Sequence, residues 1–247
     1  MFNFFSRKKD PIKLPFVTDM HCHIVPGVDD GSPDAETSAD LVERMMQWGI
    51  TRIIATPHVT EASFENTPDI LDPAFDELQE AVKQRGINIE LSRSSENRLD
   101  SFFKTLLDEG QIQPFPNNYI LVENSFVQEP WQLDKLLFDL RIKGFFPILA
   151  HPERYMYYSH ENPERYDVLH HAGTLFQINV LSLAGYYGKH EKKVAEMLIE
   201  KGYVDFLGTD LHRRSHADAI DAYLVTKDAR RHADALRGRL KNDKAFV

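Results

Sequence analysis

The sequence predicts one α/β domain, a distorted TIM-like barrel with about seven parallel strands. Seven short apolar runs rich in β-forming residues alternate with amphipathic helical stretches along 247 residues, and no linker-like segment divides them. Such alternation is typical of a parallel sheet, and at this length it closes into a barrel more naturally than it builds an open sheet. We therefore expect an N-terminal extension at residues 1–15 and a single barrel domain at residues 16–240.

The predicted strands are the runs in which apolar and β-branched residues concentrate between turn residues. They span residues 16–20, 52–56, 87–91, 119–122, 145–150, 175–180 and 204–209.

Four helical stretches with an apolar face lie between recognisable start and stop residues. One opens at Ser32-Pro33-Asp34, one runs from Asp72-Pro73 to Gly86, one from Pro130 to Gly144, and one from residue 189 to Gly202. Residues 92–118 are the least regular. After His216 a charged pattern predicts one long peripheral helix, from residue 218 to about residue 240, followed by a frayed tail.

Charge and composition exclude several classes of protein. A net charge of -9 gives no basic patch that would follow a nucleic-acid backbone, so no nucleic-acid partner is expected. No apolar run approaches the roughly 20 residues of a membrane span, and the single Cys22 excludes an intrachain disulfide. We expect a cytoplasmic protein without stable membrane insertion. Residues 1–10 are expected to be a flexible terminus, with contact to a membrane or a partner as the alternative. The oligomeric state stays open.

Eight potential metal ligands fall at the C-terminal ends of the predicted strands. They are His21 and His23 after the first strand, His58 after the second, Glu96 after the third, Glu123 at the end of the fourth, His151 after the fifth, and Asp210 and His212 at the end of the seventh. In a parallel barrel these ends meet at one mouth, where the active sites of such folds lie. Side chains two apart on a strand share a face, so His21 and His23 can reach one ion together.

Eight ligands are too many for one ion, which takes about four to six, so two or three divalent ions are expected. Imidazole and carboxylate together suit manganese, zinc or iron. Such clusters cleave phosphate esters, because the cations neutralise the phosphate and lower the pKa of bound water. Any single histidine of this kind is more often a surface or hydrogen-bonded residue, and only the joint pattern favours a metal site. The six other histidines, His216 among them, are expected to have no ligand role.

The motifs around these residues are His21-Cys22-His23 with Pro26-Gly27-Val28-Asp29-Asp30-Gly31, Ala55-Thr56-Pro57-His58, Glu96-Asn97-Arg98, His151-Pro152-Glu153-Arg154-Tyr155, Gln177-Ile178-Asn179 and Gly208-Thr209-Asp210-Leu211-His212. In this order they resemble the polymerase and histidinol phosphatase (PHP) superfamily. Within it, the chain is similar to the bacterial tyrosine-protein phosphatases encoded with capsule and exopolysaccharide genes. The resemblance covers about residues 16–212.

The resemblance implies a ligand set for three ions. One ion would be held by His21, His23, Glu96 and Asp210, a second by Glu96 with Glu123 and His151, and a third by His58, His212 and one of Asp29 and Asp30. Asp30 is preferred, because the Asp-Gly step aligns with the usual ligand position of the superfamily. Manganese is expected first, with zinc and iron as alternatives.

The resemblance also implies that Arg154 holds the substrate phosphate, a task that suits a bidentate guanidinium, although pairing with a carboxylate such as Glu153 is the alternative. The family has a further arginine several residues after its last motif, whereas here Arg213 and Arg214 follow His212 directly. These two arginines are expected either to bind substrate or to be solvated surface charges. A set of five tyrosines is expected either to form an aromatic rim or to pack structurally: Tyr155, Tyr157, Tyr158, Tyr186 and Tyr187.

The implied function is a metal-dependent protein-tyrosine phosphatase that acts on a membrane-associated bacterial tyrosine autokinase controlling capsular or exopolysaccharide synthesis. The implied reaction is attack of a metal-bound hydroxide on phosphorus, with Arg154 at the phosphoryl oxygens and His58 or a metal assisting the phenolate. A cysteine nucleophile is excluded, because Val28 and not arginine stands six positions after Cys22. The alternatives are a small-molecule phosphatase such as histidinol-phosphatase, a PHP-type nuclease, and a binding domain without activity.

Overall fold

Parallel strands alternate with helices along the chain, as the sequence predicts. The computed structural model describes residues 10–247, so the N-terminal stretch of residues 1–9 lies outside the described residues. The strands are β1 Thr18–Asp19, β2 Arg52–Ala55, β3 His58–Val59, β4 Glu90–Arg93, β5 Glu96–Arg98, β6 Tyr119–Glu123, β7 Phe146–Ala150, β8 Leu175–Asn179 and β9 Phe206–Gly208. The helices are α1 Ala35–Gln47, α2 Pro68–Gln84, α3 Ser101–Asp108, α4 Leu133–Ile142, α5 Glu164–His171, α6 Val180–Ala184, α7 Lys189–Lys201, α8 Arg214–Leu224, α9 Lys227–Leu236 and α10 Asn242–Ala245.

The strands form two parallel sheets in the orders β1-β2-β4 and β3-β5-β6-β7-β8-β9. The chain passes from β2 to β3 through Thr56-Pro57 and from β4 to β5 through Ser94-Ser95, so the two sheets meet at these short interruptions. On the far side, Cys22 forms a parallel bridge with Leu211. The sheet is therefore curled, and the ends of its first and last strands are neighbours. The predicted parallel α/β fold is confirmed.

The predicted helix starts are confirmed for α1 and α7 and corrected for α2 and for α4, which begins at Leu133. The Asp34 side chain accepts a hydrogen bond from Thr37 N at 2.7 Å and caps α1. The second helix begins at Pro68, not at Asp72-Pro73. Pro73 lies inside it, one turn beyond the start, where proline cannot donate the usual hydrogen bond to the carbonyl of Asp69. The structure adds α3 and α5 to the predicted helices, and α3 is capped by the Asp100 side chain, which accepts from Phe103 N.

The expectation of one long C-terminal helix with a frayed tail is wrong. The helix is interrupted between α8 and α9, where the Thr226 side chain accepts a hydrogen bond from Ala229 N at 3.0 Å and caps α9. The tail then returns to the sheet as α10, and Phe246 is only 4% exposed. Its ring lies 5.0 Å from that of Phe115 and 5.5 Å from that of Phe206. The chain end therefore joins an apolar cluster on the sheet.

This apolar cluster is separate from the main hydrophobic core and lies next to the predicted metal ligands. It includes Leu121 and, partly buried, Tyr119, which alternate on β6 with Ile120 and Val122 of the main core. Because side chains alternate along a strand, Glu123 shares the face of Tyr119 and Leu121. The cluster thus lies on the same sheet face as the strand-end carboxylate.

The N-terminal part of the described chain is hydrogen-bonded to the ends of α8 and α1. Ile12 N donates to Leu224 O at 3.0 Å, and Leu14 N donates to Trp48 O at 2.9 Å. Among residues 10–247, no helix is both long enough and apolar enough to cross a membrane.

Replacing Phe246 with alanine is expected to lower the free energy of unfolding by about 3 kcal/mol, because a buried aromatic ring leaves a cavity when it is truncated. Chemical denaturation followed by circular dichroism measures this difference. Phe138→Ala is the matched control, because Phe138 on α4 is 56% exposed. Equal stability of the two variants would contradict the docking of the tail.

Candidate metal centre

All eight predicted strand-end ligands come together at one end of the sheet. His21 and His23 follow β1, His58 begins β3, Glu96 begins β5, Glu123 ends β6, His151 follows β7, and Asp210 and His212 follow β9. Except for the partly exposed His58, each of them is buried. Four overlapping sets of three have ligand atoms close enough to share an ion: His23, His58 and His212; His21, His23 and Glu96; His21, His151 and Asp210; and His58, Glu96 and Glu123. Together with Asp30, these side chains fall into three larger groups.

The first group surrounds one point between β1, β5 and β9. His21 Nε2 lies 3.3 Å from His23 Nε2, and both nitrogens lie 3.3 Å from Glu96 Oε2 and 3.5 Å from Asp210 Oδ1. Ligand atoms that share one ion at about 2.1 Å lie about 3.0 to 3.4 Å apart. This spacing fits a divalent metal held by two imidazoles and two carboxylates.

The second group shares Glu96 with the first. Its Oε1 lies 2.8 Å from His151 Nε2, and its Oε2 lies 3.0 Å from His58 Nδ1. Glu123 Oε1 lies 3.5 Å from the same His58 nitrogen, and Glu123 Oε2 lies 3.9 Å from His151 Nε2. Four buried atoms of these residues lack a hydrogen-bond partner, and three of them are the ligand-facing atoms His58 Nδ1, Glu96 Oε2 and Glu123 Oε2; the fourth is His151 Nδ1. Because buried polar atoms are almost always satisfied, these three fit positions that face a cation.

The third group separates the roles of the two adjacent aspartates. Asp30 Oδ1 lies 3.5 Å from both His58 Nε2 and His212 Nε2, and its side chain is 54% exposed. Asp29 is buried, and both of its oxygens are occupied: Oδ2 faces His23 Nδ1 at 2.8 Å and accepts from His58 N, and Oδ1 accepts from Gly31 N. Asp29 therefore orients ligands, whereas Asp30 offers a free oxygen to two imidazoles.

Neighbouring side chains fix the other ligands. Gln177 Oε1 accepts from His21 Nδ1 at 2.7 Å, which leaves Nε2 to face the metal position. Asn179 Nδ2 donates to Asp210 Oδ2 at 2.6 Å. Such partners set the tautomer and direction of a ligand and usually matter almost as much as the ligand itself.

Close backbone approach is also needed at the cluster. A Cβ atom on Gly31 would lie 2.2 Å from His23 O, and one on Gly208 would lie 2.6 Å from His21 Cβ, so both positions require glycine. His151 and Asp210 have φ values of 34° and 50°, in the left-handed region that non-glycine residues rarely adopt. Strained backbone of this kind concentrates at functional sites.

The buried charges depend on one another. Burial and the neighbouring His58 lower the pKa of His23, but the carboxylates of Asp29 and Glu96 outweigh them and raise it to about 9. Burial raises the pKa of Glu96, but the charges of His21 and His58 outweigh it and hold that pKa well below its ordinary value. Protons on the imidazoles thus balance the carboxylates, and metal binding replaces such protons.

A family model described as capsular polysaccharide synthesis, CpsB/CapC, matches residues 17–223. The chain belongs to this family. Curated relatives include the tyrosine-protein phosphatase YwqE of Bacillus subtilis, 33% identical over 198 residues that cover 78% of this chain and 76% of YwqE. The putative tyrosine-protein phosphatase CapC of Staphylococcus aureus is 25% identical, and the match covers 94% of this chain and 91% of CapC.

Solved structures agree with this CpsB/CapC assignment. A chain from the crystal structures of YwqE from Bacillus subtilis and CpsB from Streptococcus pneumoniae, described as metal-dependent tyrosine phosphatases, matches with a TM-score of 0.75 at 29% identity. The match covers 93% of this chain and 96% of that chain. A lactonase from Listeria monocytogenes, with a TM-score of 0.52 and 14% identity, shares the fold alone.

In this CpsB/CapC protein the ligands open onto a cavity of about 300 Å³. Its lining includes the ligands Asp30, His58, His151, Asp210 and His212, together with Phe126, Arg154, Tyr186, Tyr187, Arg213 and His216. Arg154 and Arg213 therefore reach the cavity. Arg214 is not among its lining residues, and its guanidinium pairs with Asp40 at 2.5 Å.

The five tyrosines divide into two sets. Tyr186 and Tyr187 line the cavity. The hydroxyl groups of the other three donate elsewhere: that of Tyr155 to Ala150 O, that of Tyr157 to Ser125 O and that of Tyr158 to Glu129. These three therefore pack the loops behind the site.

Sequence reasoning did not single out Phe126, which lines the cavity from the segment after β6. A lone aromatic residue in a loop has no periodicity that would reveal it. Gln177 and Asn179 stood in a recognised motif, but only the hydrogen bonds to His21 and Asp210 show what they contact.

Glu96→Gln is expected to lower the metal content of the purified protein by at least one ion per chain, because Glu96 contacts the first two groups and its charge balances their cations. Elemental analysis after dialysis against buffer with a fixed manganese concentration measures this. The control is Glu109→Gln, at an exposed position just after α3. Unchanged metal content in Glu96→Gln would remove this residue from the centre.

Proposed function

We propose that this protein is a metal-dependent phosphomonoesterase and, more narrowly, a protein-tyrosine phosphatase. The proposed substrate is a membrane-associated bacterial tyrosine autokinase that controls capsular or exopolysaccharide synthesis, encountered in the cytoplasm. The observation that carries the proposal is the buried set of imidazoles and carboxylates opening on a cavity that also holds Arg154. Membership of the CpsB/CapC family and relatives named tyrosine-protein phosphatases support the same conclusion.

We propose that two or three divalent ions bind, manganese first among them, with zinc or iron as alternatives. His21, His23, Glu96 and Asp210 would hold one ion, Glu96, Glu123 and His151 a second, and His58, His212 and Asp30 a third. Four carboxylates in these sets carry a charge that two divalent cations would balance. When bound, such ions supply Lewis acidity and lower the pKa of water, the chemistry that phosphate-ester hydrolysis needs.

Residues of the chain would bind and orient the substrate. The Arg154 guanidinium would hold phosphoryl oxygens through a charge-assisted, bidentate contact. His58 lies at the cavity wall, where it would stabilise the departing oxygen. A phenolate has a pKa near 10 and leaves more readily than an alkoxide, so it needs less help from an acid. Tyr186, which is exposed at the cavity, would flank the ring of a phosphotyrosine.

We further propose that the two sheets act as one distorted seven-strand barrel of the PHP type. The bridge between Cys22 and Leu211 supports this closure. The interruptions at Thr56-Pro57 and Ser94-Ser95 support it too, because the chain continues from β2 into β3 and from β4 into β5.

With manganese added, the protein is expected to release phosphate from a tyrosine-phosphorylated peptide with a kcat/KM at least tenfold above that for histidinol phosphate, because the cavity wall is aromatic and phenolate is the better leaving group. Parallel phosphate-release assays with and without manganese measure this. Preference for histidinol phosphate would replace the proposal with a small-molecule phosphatase. Activity on neither substrate with metal bound would exclude a phosphatase.

Arg154→Ala is expected to raise KM for the phosphopeptide by about tenfold or more, because one charge-assisted contact to the phosphate is lost. Steady-state kinetics measure the change. Arg214→Ala is the matched control, since the guanidinium of Arg214 pairs with Asp40 away from the cavity. A similar KM for Arg154→Ala and the wild type would remove Arg154 from substrate binding.

A further inference from the structure

The Arg154 guanidinium lies between two aromatic rings. Its central carbon is 3.9 Å from the ring centroid of Tyr187 and 4.7 Å from that of Phe126. Nη1 donates to Asp210 Oδ2 at 2.9 Å. Two ring contacts and one ion pair therefore restrain the guanidinium, which would be mobile in an arginine without such contacts.

The two rings come from different parts of the chain, and each is itself held. Phe126 stacks on the ring of His151 at 5.4 Å, and its carbonyl accepts from Met156 N at 2.9 Å. Tyr187, from the segment between α6 and α7, donates its hydroxyl to Asp210 Oδ2 at 3.2 Å. Neither ring is a metal ligand, yet both contact residues of the proposed centre.

Asp210 receives three hydrogen bonds on one oxygen. Oδ2 accepts from Arg154, Asn179 and Tyr187, while Oδ1 lies 3.5 Å from His21 Nε2 and His23 Nε2. One carboxylate therefore faces the proposed metal position with one oxygen and the arginine with the other. Tyr187 contacts both the carboxylate and the arginine, and so fixes their relative position.

We propose that Tyr187 and Phe126 are positioning residues that hold Arg154 as a preformed phosphate receptor in register with the metal centre. The inference rests on the proposed phosphatase function and adds the means by which the receptor is held. Cation–π contacts with the rings of Tyr187 and Phe126 restrict the guanidinium before substrate binds. Binding then loses less side-chain freedom than it would with an unrestrained arginine.

The test compares two changes at one position in the manganese-loaded protein. Tyr187→Leu removes the ring and is expected to raise both KM for a tyrosine-phosphorylated peptide and the inhibition constant of inorganic phosphate by about tenfold, with kcat within about threefold. Tyr187→Phe keeps the ring, and both constants are expected to stay within about threefold of the wild-type values. Tyr203→Leu, at a tyrosine that stacks on His170, is the control.

A double-mutant comparison separates positioning from general damage. In an Arg154→Ala background, Tyr187→Leu is expected to cause no further loss of phosphate affinity, because its effect passes through the arginine. Unchanged constants in Tyr187→Leu, equal losses in the leucine and phenylalanine variants, or additive losses with Arg154→Ala would each overturn the proposal.

A readout without turnover distinguishes this proposal from the proposed function. Calorimetric titration with inorganic phosphate is expected to show tenfold weaker binding to Tyr187→Leu than to the wild type, at unchanged metal content. If the wild type hydrolyses no phosphoester but this difference remains, the phosphatase assignment fails and the positioning role stands. If turnover occurs but phosphate binds both proteins equally, the positioning role fails alone.

Discussion

The structure depends on the burial of Glu96 among four imidazoles. Its two oxygens lie between 2.8 and 3.3 Å from nitrogens of His21, His23, His58 and His151, which come from β1, β3 and β7 or their ends. A carboxylate removed from water is costly unless positive charge surrounds it. The curled parallel sheet meets this need, because it brings the ends of distant strands to one point. The positions of these side chains therefore depend on the curvature of the sheet.

Asp210 extends this constraint to the substrate side of the cavity. One of its oxygens faces two histidines and the other accepts a hydrogen bond from Arg154. Movement of the arginine would therefore shift the carboxylate at the proposed metal position. Its left-handed backbone keeps the carboxylate at this junction. In the proposed function, metal ligation and phosphate binding would therefore meet at one residue rather than on two independent loops.

The sequence allowed the parallel fold and the convergence of eight ligands to be predicted, because both follow from periodicity and from strand order. It could not separate Asp29 from Asp30, since adjacent aspartates differ only in the partners that the folded loop supplies. Phe126 could not be predicted either, because a lone aromatic residue in a loop has no periodicity that would reveal its contacts. The break between α8 and α9 depends on the hydrogen bond that caps α9 at Thr226, which the long charged pattern does not reveal, and the burial of Phe246 depends on contacts with Phe115 and Phe206 far along the chain.

Cys22 lies between the two histidines of the first motif and is fully buried. Burial raises the pKa of its thiol well above the ordinary value, and the thiolate is the form that reacts with peroxide and alkylating agents. Phosphatases that use a cysteine nucleophile lose activity when that thiol is oxidised. A centre built on imidazole and carboxylate, with its one cysteine buried in the core, would not lose activity through oxidation of a thiol and would respond to chelators instead.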